Sequence, residues 1–265
     1  MGIFNRNFDR PGPGVSKDAP RKKGAARYFE VLGRDWGSFW KASLLCLLGY
    51  IPWGLLTGVG LLTGSLLFAL AGGLVGGAIA GPALAGLHDT VLRALRDEPG
   101  YWWHVYKRAF KNNWRAALAP GALLGFLTAG QAFLICFLLM GTIRADLLST
   151  AMLTLNLLLT GMCLPFVFGQ LVLMEMNFAT LLKNSLFLAL SNAPWALLMA
   201  LVQAAYWVAM LLLFPLSVVL LAVLGFVPVA LFCQQIAWRI MDRVFGLEEQ
   251  FRRRREAELE QETPS

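Results

Sequence analysis

His88 and Asp89 are adjacent in the sequence and come nearest to an acid–base pair; the second histidine is His104. Adjacent residues on a helix point about 100° apart, so His88 and Asp89 are not expected to act together as a base and its orienting group. The sequence contains no HExxH motif, no paired-carboxylate pattern and no nucleophile elbow. We therefore expect no catalytic residues and no enzyme activity.

The four cysteines all lie inside apolar runs, with no CxxC pair and no histidine nearby; they are Cys46, Cys136, Cys163 and Cys233. Cysteines in such surroundings are usually small buried hydrophobes rather than disulfide partners or metal ligands. We expect neither a metal site nor a bound cofactor.

The composition is that of a membrane protein. Of 265 residues, 57% are hydrophobic and 15% are charged, whereas soluble domains carry about 25% charged residues. Residues 42–88 and 184–238 contain no charged side chain. Each stretch far exceeds the roughly 20 apolar residues that cross a bilayer, so each is expected to hold two crossings.

The formal charge is +7, but the basic residues flank apolar segments. This placement favours anionic lipid head groups as partners and argues against nucleic acid.

The apolar runs predict an all-α polytopic helix bundle with about six transmembrane helices. The predicted crossings are 42–60, 65–95, 115–140, 147–174, 195–214 and 217–238. They define a six-helix transmembrane domain at 42–238, between a cytoplasmic amino-terminal segment at 1–41 and a charged tail at 239–265. Of the 23 lysines and arginines, all except Arg144 fall on one side of this arrangement. The positive-inside rule therefore places both termini in the cytoplasm, and the lack of an apolar leader in residues 1–40 agrees. Residues 1–24, rich in proline, glycine and charge, are expected to be irregular.

Two amphipathic helices are expected to lie along the inner leaflet. One spans 27–41. The other begins after the turn at 97–100, in the connection between helices two and three, with aromatic rings on one face and basic side chains on the other. The residues predicted to anchor it at the membrane interface are Trp102, Trp103, Lys107, Arg108, Lys111 and Trp114.

Small residues at four-residue spacing indicate close helix packing. The second predicted helix carries such a set, namely Gly72, Gly76, Gly77 and Gly81. Small residues at this spacing let helix backbones approach closely in lipid, although glycine is also simply commoner in spanning helices. We expect Gly76→Leu or Gly77→Leu to disturb helix packing more than Gly225→Leu.

Polar side chains at membrane depth are candidates for lining a cavity. Gln131, Asn156, Gln170 and Gln203 are neutral amides, which more often bond to neighbouring helices than to a substrate. Asp89 and Glu175 lie near cytoplasmic helix ends, where they could face a cavity or pair with Arg93 and Lys183.

Several stretches resemble the YesL-like family of bacterial integral membrane proteins, a domain of unknown function. The resemblance covers most of the chain and rests on Gly81-Pro82, Arg96-Asp97-Glu98, the FKNNW at 110–114, Lys183-Asn184, Asn192 and Pro194. It implies a multi-pass protein of the bacterial cytoplasmic membrane, associated with carbohydrate uptake and sensing systems, and it brings no catalytic residues.

Two functions stay open at this point. The first is a non-catalytic accessory or scaffolding component, with transporter or sensor subunits as partners. The second is a small-solute transporter, with sugars as candidate solutes, favoured by the mid-membrane amides and by glycine and proline interruptions. The internal repeat that many transporters carry is only slight here.

Overall fold

A computed structural model describes residues 21–98, 100–144 and 146–253. Its main helices are α1 Gly24–Arg34, α2 Trp36–Leu62, α3 Leu66–Leu95, α4 Trp102–Leu139, α5 Leu147–Leu173, α6 Phe178–Ser191, α7 Ala193–Leu212, α8 Leu216–Val223 and α9 Val227–Phe245. A further helical stretch follows at 247–253. The described residues contain no strand, and the predicted all-α fold is confirmed. Residues 1–20 of the segment expected to be irregular, and 254–265 of the tail, lie outside the described residues.

Five helices, α2, α3, α4, α5 and α7, are long and apolar enough to cross a membrane. The pair α8 and α9 passes the same test only when taken together, and its two helices are bent by 53° at a short break. The prediction of about six crossings therefore agrees in number, but the last crossing is not the single helix that was expected at 217–238.

Local sequence explains where several helices begin. The side chains of Asp146 and Asn177 accept hydrogen bonds from backbone N–H groups at the starts of α5 and α6, at 2.7 and 2.8 Å. Such caps satisfy donors that have no partner within the helix.

Gly225, at φ +57°, lies in the break between α8 and α9, where a left-handed backbone conformation cannot continue a helix.

The predicted boundaries of the two interfacial helices are wrong. The helix expected at 27–41 is divided at Asp35: its first part lies in α1, and its second part forms the first turns of α2. The helix expected after residue 100 is not separate from the third crossing, because α4 runs without a break through 102–139. Residues 101–119 contain neither glycine nor proline, so nothing interrupts the helix. At 1.5 Å per residue α4 is about 57 Å long, nearly twice the thickness of the hydrocarbon core.

The bundle has two tightly packed regions. Helix α3 packs between α2 and α4 through small residues, while the carboxyl-terminal halves of α3 and α5, together with α9, enclose large side chains. The fully buried members of this second region include Leu87, Phe166, Phe168, Leu231 and Met241. This second region reaches the carboxyl end of α3, next to a group of charged side chains.

Candidate functional site: the arginine cluster at the end of α3

Asp97, two residues beyond the end of α3, is the centre of a cluster of arginines. Its carboxylate accepts hydrogen bonds from Arg27 Nη2 at 2.7 Å, from Arg21 Nε at 3.0 Å and from Arg34 Nη1. All three arginines belong to α1 or the residues just before it. We call Arg21, Arg27, Arg34 and Asp97 the Asp97 cluster. It joins the amino-terminal segment to the end of a spanning helix more than sixty residues away in sequence.

The same arginines also close the carboxyl end of α3. A helix leaves its last carbonyl groups without intrahelical partners, and these carry partial negative charge. Each arginine donates to one such oxygen: Arg34 to Ala94 at 2.7 Å, Arg27 to Leu95 at 3.0 Å and Arg21 to Arg96 at 3.2 Å. The three guanidinium groups therefore satisfy both the carboxylate and the helix end.

Electrostatics at Asp97 favour the ionised carboxylate. Burial by itself raises the pKa of Asp97, but the hydrogen bonds from Arg34 and Arg27 and their positive charges outweigh it, so the pKa lies below its ordinary value. Asp97 also has a φ of +57°, a conformation that costs little for aspartate and more for most other residues.

A second group of charges links α3 to the tail. Arg93 donates to Asp89 at 2.8 Å and to Glu98 at 2.9 Å, and Arg96 donates to Glu98 at 3.1 Å. The Arg96 guanidinium also lies 4.3 Å from the ring centroid of Phe251, within the range of a cation–π contact. The expected pairing of Asp89 with Arg93 is therefore present in the structure.

A groove of about 580 Å³ opens beside this group. It is lined by both signs of charge and by aromatic rings, including Arg21, Arg96, Trp238, Asp242, Glu248 and Phe251. Arg21 donates to Glu248 at 2.6 Å across it.

The six residues predicted to anchor the membrane interface all lie on the first turns of α4. Trp103, Lys107, Arg108, Lys111 and Trp114 are exposed. Trp102 is half-buried against the core, where Lys41 Nζ lies 5.5 Å from its ring centroid. The inward face of these turns is formed by other residues, chiefly Val105, Tyr106 and Ala109.

The four predicted packing glycines lie at the closest helix approaches of α3. A Cβ atom at Gly72 would stand 2.6 Å from the Leu56 backbone of α2, and one at Gly77 would stand 2.6 Å from Gly125 Cα of α4. Gly76 faces the backbone of Trp53 in the same way.

Gly81 faces the carbonyl oxygen of Ala117. The expectation that a substitution at Gly225 disturbs packing less is wrong, because a Cβ there would overlap the Ser43 hydroxyl and the backbone has a positive φ. Gly225 lies at a break between two helices, and the spacing of apolar residues in the sequence does not reveal that break.

The predicted cavity residues do not form one hydrogen-bonded site in the structure. Gln131 Nε2 donates to Asn156 Oδ1 at 3.1 Å, which joins α4 to α5. Gln203 Nε2 donates instead to the Gly161 carbonyl at 2.7 Å, joining α7 to α5. Glu175 is exposed in the connection between α5 and α6.

Pro165 explains why Gln203 is needed. Proline has no N–H group, so it cannot donate to the carbonyl four residues before it. That carbonyl belongs to Gly161, and Gln203 supplies the missing donor from α7. A side chain predicted to line a cavity thus completes the backbone hydrogen bonding of a neighbouring helix.

Sequence reasoning missed a buried polar layer around His88. The His88 ring is 2% exposed, stacks on Phe168 with a centroid separation of 5.3 Å, and has its Nδ1 2.7 Å from Gln234 Nε2. Gln234 Nε2 also donates to the Pro165 carbonyl at 2.8 Å. His88 and Asp89 therefore turn to different partners, as expected from their positions. The signal for this layer was the glutamine at 234, in an apolar stretch that ends only at Arg239.

The Asp97 cluster was also missed as a unit. Arg27 and Arg34 are seven residues apart, which places them on one face of a helix, and Asp97 follows the apolar run of α3 directly. Those spacings give each residue's local position, but they do not pair α1 with the end of α3.

An all-helical bundle with five or six helices long and apolar enough to span a bilayer defines a multi-pass integral membrane protein. Residues 61–142, which cover α3, the connection after it and all of α4, match the family described as "Protein of unknown function, DUF624". YesL-like membrane proteins are in this family, and the resemblance stated from the sequence is confirmed. No curated protein and no solved structure matches the chain.

Proposed function

We propose that this membrane protein is a non-catalytic accessory or scaffolding component of the bacterial cytoplasmic membrane, working with a carbohydrate uptake or sensing system. The observation that carries the proposal is the Asp97 cluster. Three arginines fix the amino-terminal segment onto the cytoplasmic end of α3 through a carboxylate and three carbonyl oxygens. Side chains that converge in this way form a preorganised surface, which lowers the entropy cost of binding a partner.

The polar side chains within the membrane support the same proposal. Gln131 and Gln203 bond to groups of neighbouring helices, as structural amides do, instead of pointing together into one site. His88 contacts Gln234, while Asp89 pairs with Arg93, so the two residues are not arranged as a base and its orienting group.

Anionic lipid head groups are the second partner that we propose. The exposed face of the first turns of α4 carries three basic side chains close to exposed tryptophans, namely Lys107, Arg108, Lys111, Trp103 and Trp114. Basic residues next to a membrane attract anionic lipids, and tryptophan favours the interface. Such contacts would hold the cytoplasmic surface at a fixed height above the bilayer.

Quantitative affinity capture from native membranes tests the accessory role. Tagged wild-type protein extracted in several mild detergents should bring transporter or sensor subunits with it. Asp97→Asn should recover several-fold less, because the carboxylate charge that holds the arginines is lost. Asp146→Asn is the matched control, since asparagine caps a helix about as well as aspartate and this position starts α5.

Recovery of the wild-type protein alone in every detergent would contradict the accessory role. Equal recovery by Asp97→Asn and Asp146→Asn would instead show that partners bind away from the Asp97 cluster. The two results separate the function from its proposed surface.

The alternative of a small-solute transporter is favoured by one observation, the 53° bend between α8 and α9. Broken helices line substrate sites in many transporters because they expose backbone groups. Purified protein in liposomes tests this alternative with a panel of labelled oligosaccharides. Uptake above that of protein-free liposomes would favour transport over the accessory role.

A further inference from the structure

A hydrogen-bonded triad lies at mid-membrane depth between α4 and α5. Gln131 Nε2 donates to Asn156 Oδ1 at 3.1 Å and to Thr160 Oγ1 at 3.2 Å, and the Thr160 hydroxyl donates to Asn156 Oδ1 at 3.0 Å. Asn156 lies about 14 Å along α5 from its first residue, and Gln131 lies about 12 Å from the last residue of α4. In a hydrocarbon core of about 30 Å, both positions are far from the head groups.

The triad leaves one donor and one acceptor unused. Within the described part of the chain, Asn156 Nδ2 donates to no group, and Gln131 Oε1 accepts from none. Asn156 is only partly buried, as is Thr160 beside it. A polar group without a partner in hydrocarbon is costly, and lipid tails offer no hydrogen bond. Whatever covers this flank in the membrane must therefore supply both an acceptor and a donor.

An exposed apolar stripe of α5 lies beside the triad. Four large apolar side chains of α5 form an exposed stripe at intervals of four, three and four residues: Leu148 at 68%, Met152 at 61%, Leu155 at 59% and Leu159 at 40% exposed. This is the spacing of the contact seam in paired helices. Asn156 borders the stripe, one helical turn from Met152 and from Leu159.

We propose that a second copy of this chain packs on this flank and forms a two-fold dimer through α5. In a two-fold interface the same patch meets itself, so residue i contacts residue j and j contacts i. The unused Asn156 Nδ2 of each copy then donates to the unused Gln131 Oε1 of the other. The site supplies one donor and one acceptor, and an identical partner satisfies both. This pairing is independent of the proposed accessory function.

Subunit counting in lipid bilayers tests the dimer. Fluorescently labelled wild-type protein, reconstituted over a range of protein-to-lipid ratios, should photobleach in two steps at moderate dilution. Asn156→Leu should raise the density needed for half-dimerisation at least ten-fold, which corresponds to about 1.4 kcal/mol. Thr154→Leu is the matched control: it exchanges a polar exposed residue of the same helix for leucine, about 200° around the axis from Asn156. It should change dimerisation less than two-fold.

Three further variants distinguish loss of the dimer from loss of folding. Replacing Gln131 and Asn156 together by leucine removes both unused groups and should abolish the dimer while thermal unfolding in detergent stays cooperative. Met152→Cys, with Cys136 and Cys163 changed to alanine, should form an intermolecular disulfide in membranes. Val75→Cys in the same background, at an exposed position of α3, should not. Single-step photobleaching of the wild type at every density overturns the proposal. So does a dimer that persists unchanged in the double leucine variant.

Discussion

Gly77→Ala is the sharpest test of how α3 and α4 pack. The added Cβ would stand 2.6 Å from Gly125 Cα and would also press on the Gly121 carbonyl oxygen. Ordinary carbon–carbon contacts are about 3.5–4.0 Å, so the helices must separate locally by about 1 Å. Overpacking of this kind costs about 1–3 kcal/mol, offset by about 0.5–1 kcal/mol from the better helix propensity of alanine. We expect a net loss in the free energy of unfolding of about 0–2.5 kcal/mol, with a central value of about 1 kcal/mol.

Gly54→Ala on α2 is the control, because a Cβ there meets nothing within 4 Å. Helix propensity then acts alone, and this variant should be unchanged or slightly more stable. Titration with a denaturing detergent in mixed micelles, followed by the fluorescence of the nine tryptophans, measures both variants. Equal stability of Gly77→Ala and Gly54→Ala would refute the close approach of α3 and α4.

Three further predictions concern the polar and charged groups. The folded-state pKa of Asp97 lies below its ordinary value. The contribution of Asp97 to the free energy of unfolding is therefore present above about pH 4 and is lost as pH falls through the folded-state pKa. In Asp97→Asn, the free energy of unfolding should depend less on pH in this range. Gln203→Leu leaves a backbone carbonyl of α5 without its donor and should cost about 1–3 kcal/mol by the same denaturation assay, and an unchanged midpoint would contradict that role. Changing three exposed basic residues of α4 together to glutamine should weaken association with anionic lipid by about 1 kcal/mol per charge, measured by lipid-dependent hydrogen-exchange protection of α4; the residues are Lys107, Arg108 and Lys111.

Much of the architecture could be predicted because lipid imposes a simple rule. A long uncharged run must become a helix that spans the hydrocarbon core, since its backbone groups find no other partners there. The runs at 42–88 and 184–238 are each long enough for two spanning helices, so these helices could be predicted without knowing any tertiary contact. The rule does not locate the ends of helices. At residues 101–114 the helix of the third crossing extends beyond its apolar part, and at Gly225 a turn divides an apolar run into two helices.

The candidate site could be predicted only in part. The partners of Asp97 and of Gln203 lie on other helices, and their pairing depends on how those helices cross. Gln131 and Asn156 were expected to be polar residues at membrane depth, but that they contact each other follows from the packing of α4 on α5.

The sequence by itself determined that the chain is helical, resides in the membrane and carries its cationic residues almost entirely on one side, because these properties depend on the order of apolar and charged residues along the chain. Only the tertiary structure decided that Asp97 collects three arginines and that Gln203 completes the α5 backbone at Gly161. Hydrogen bonds and ion pairs need atoms within about 3 Å, and residues far apart in sequence reach that distance only when the helices that carry them are packed.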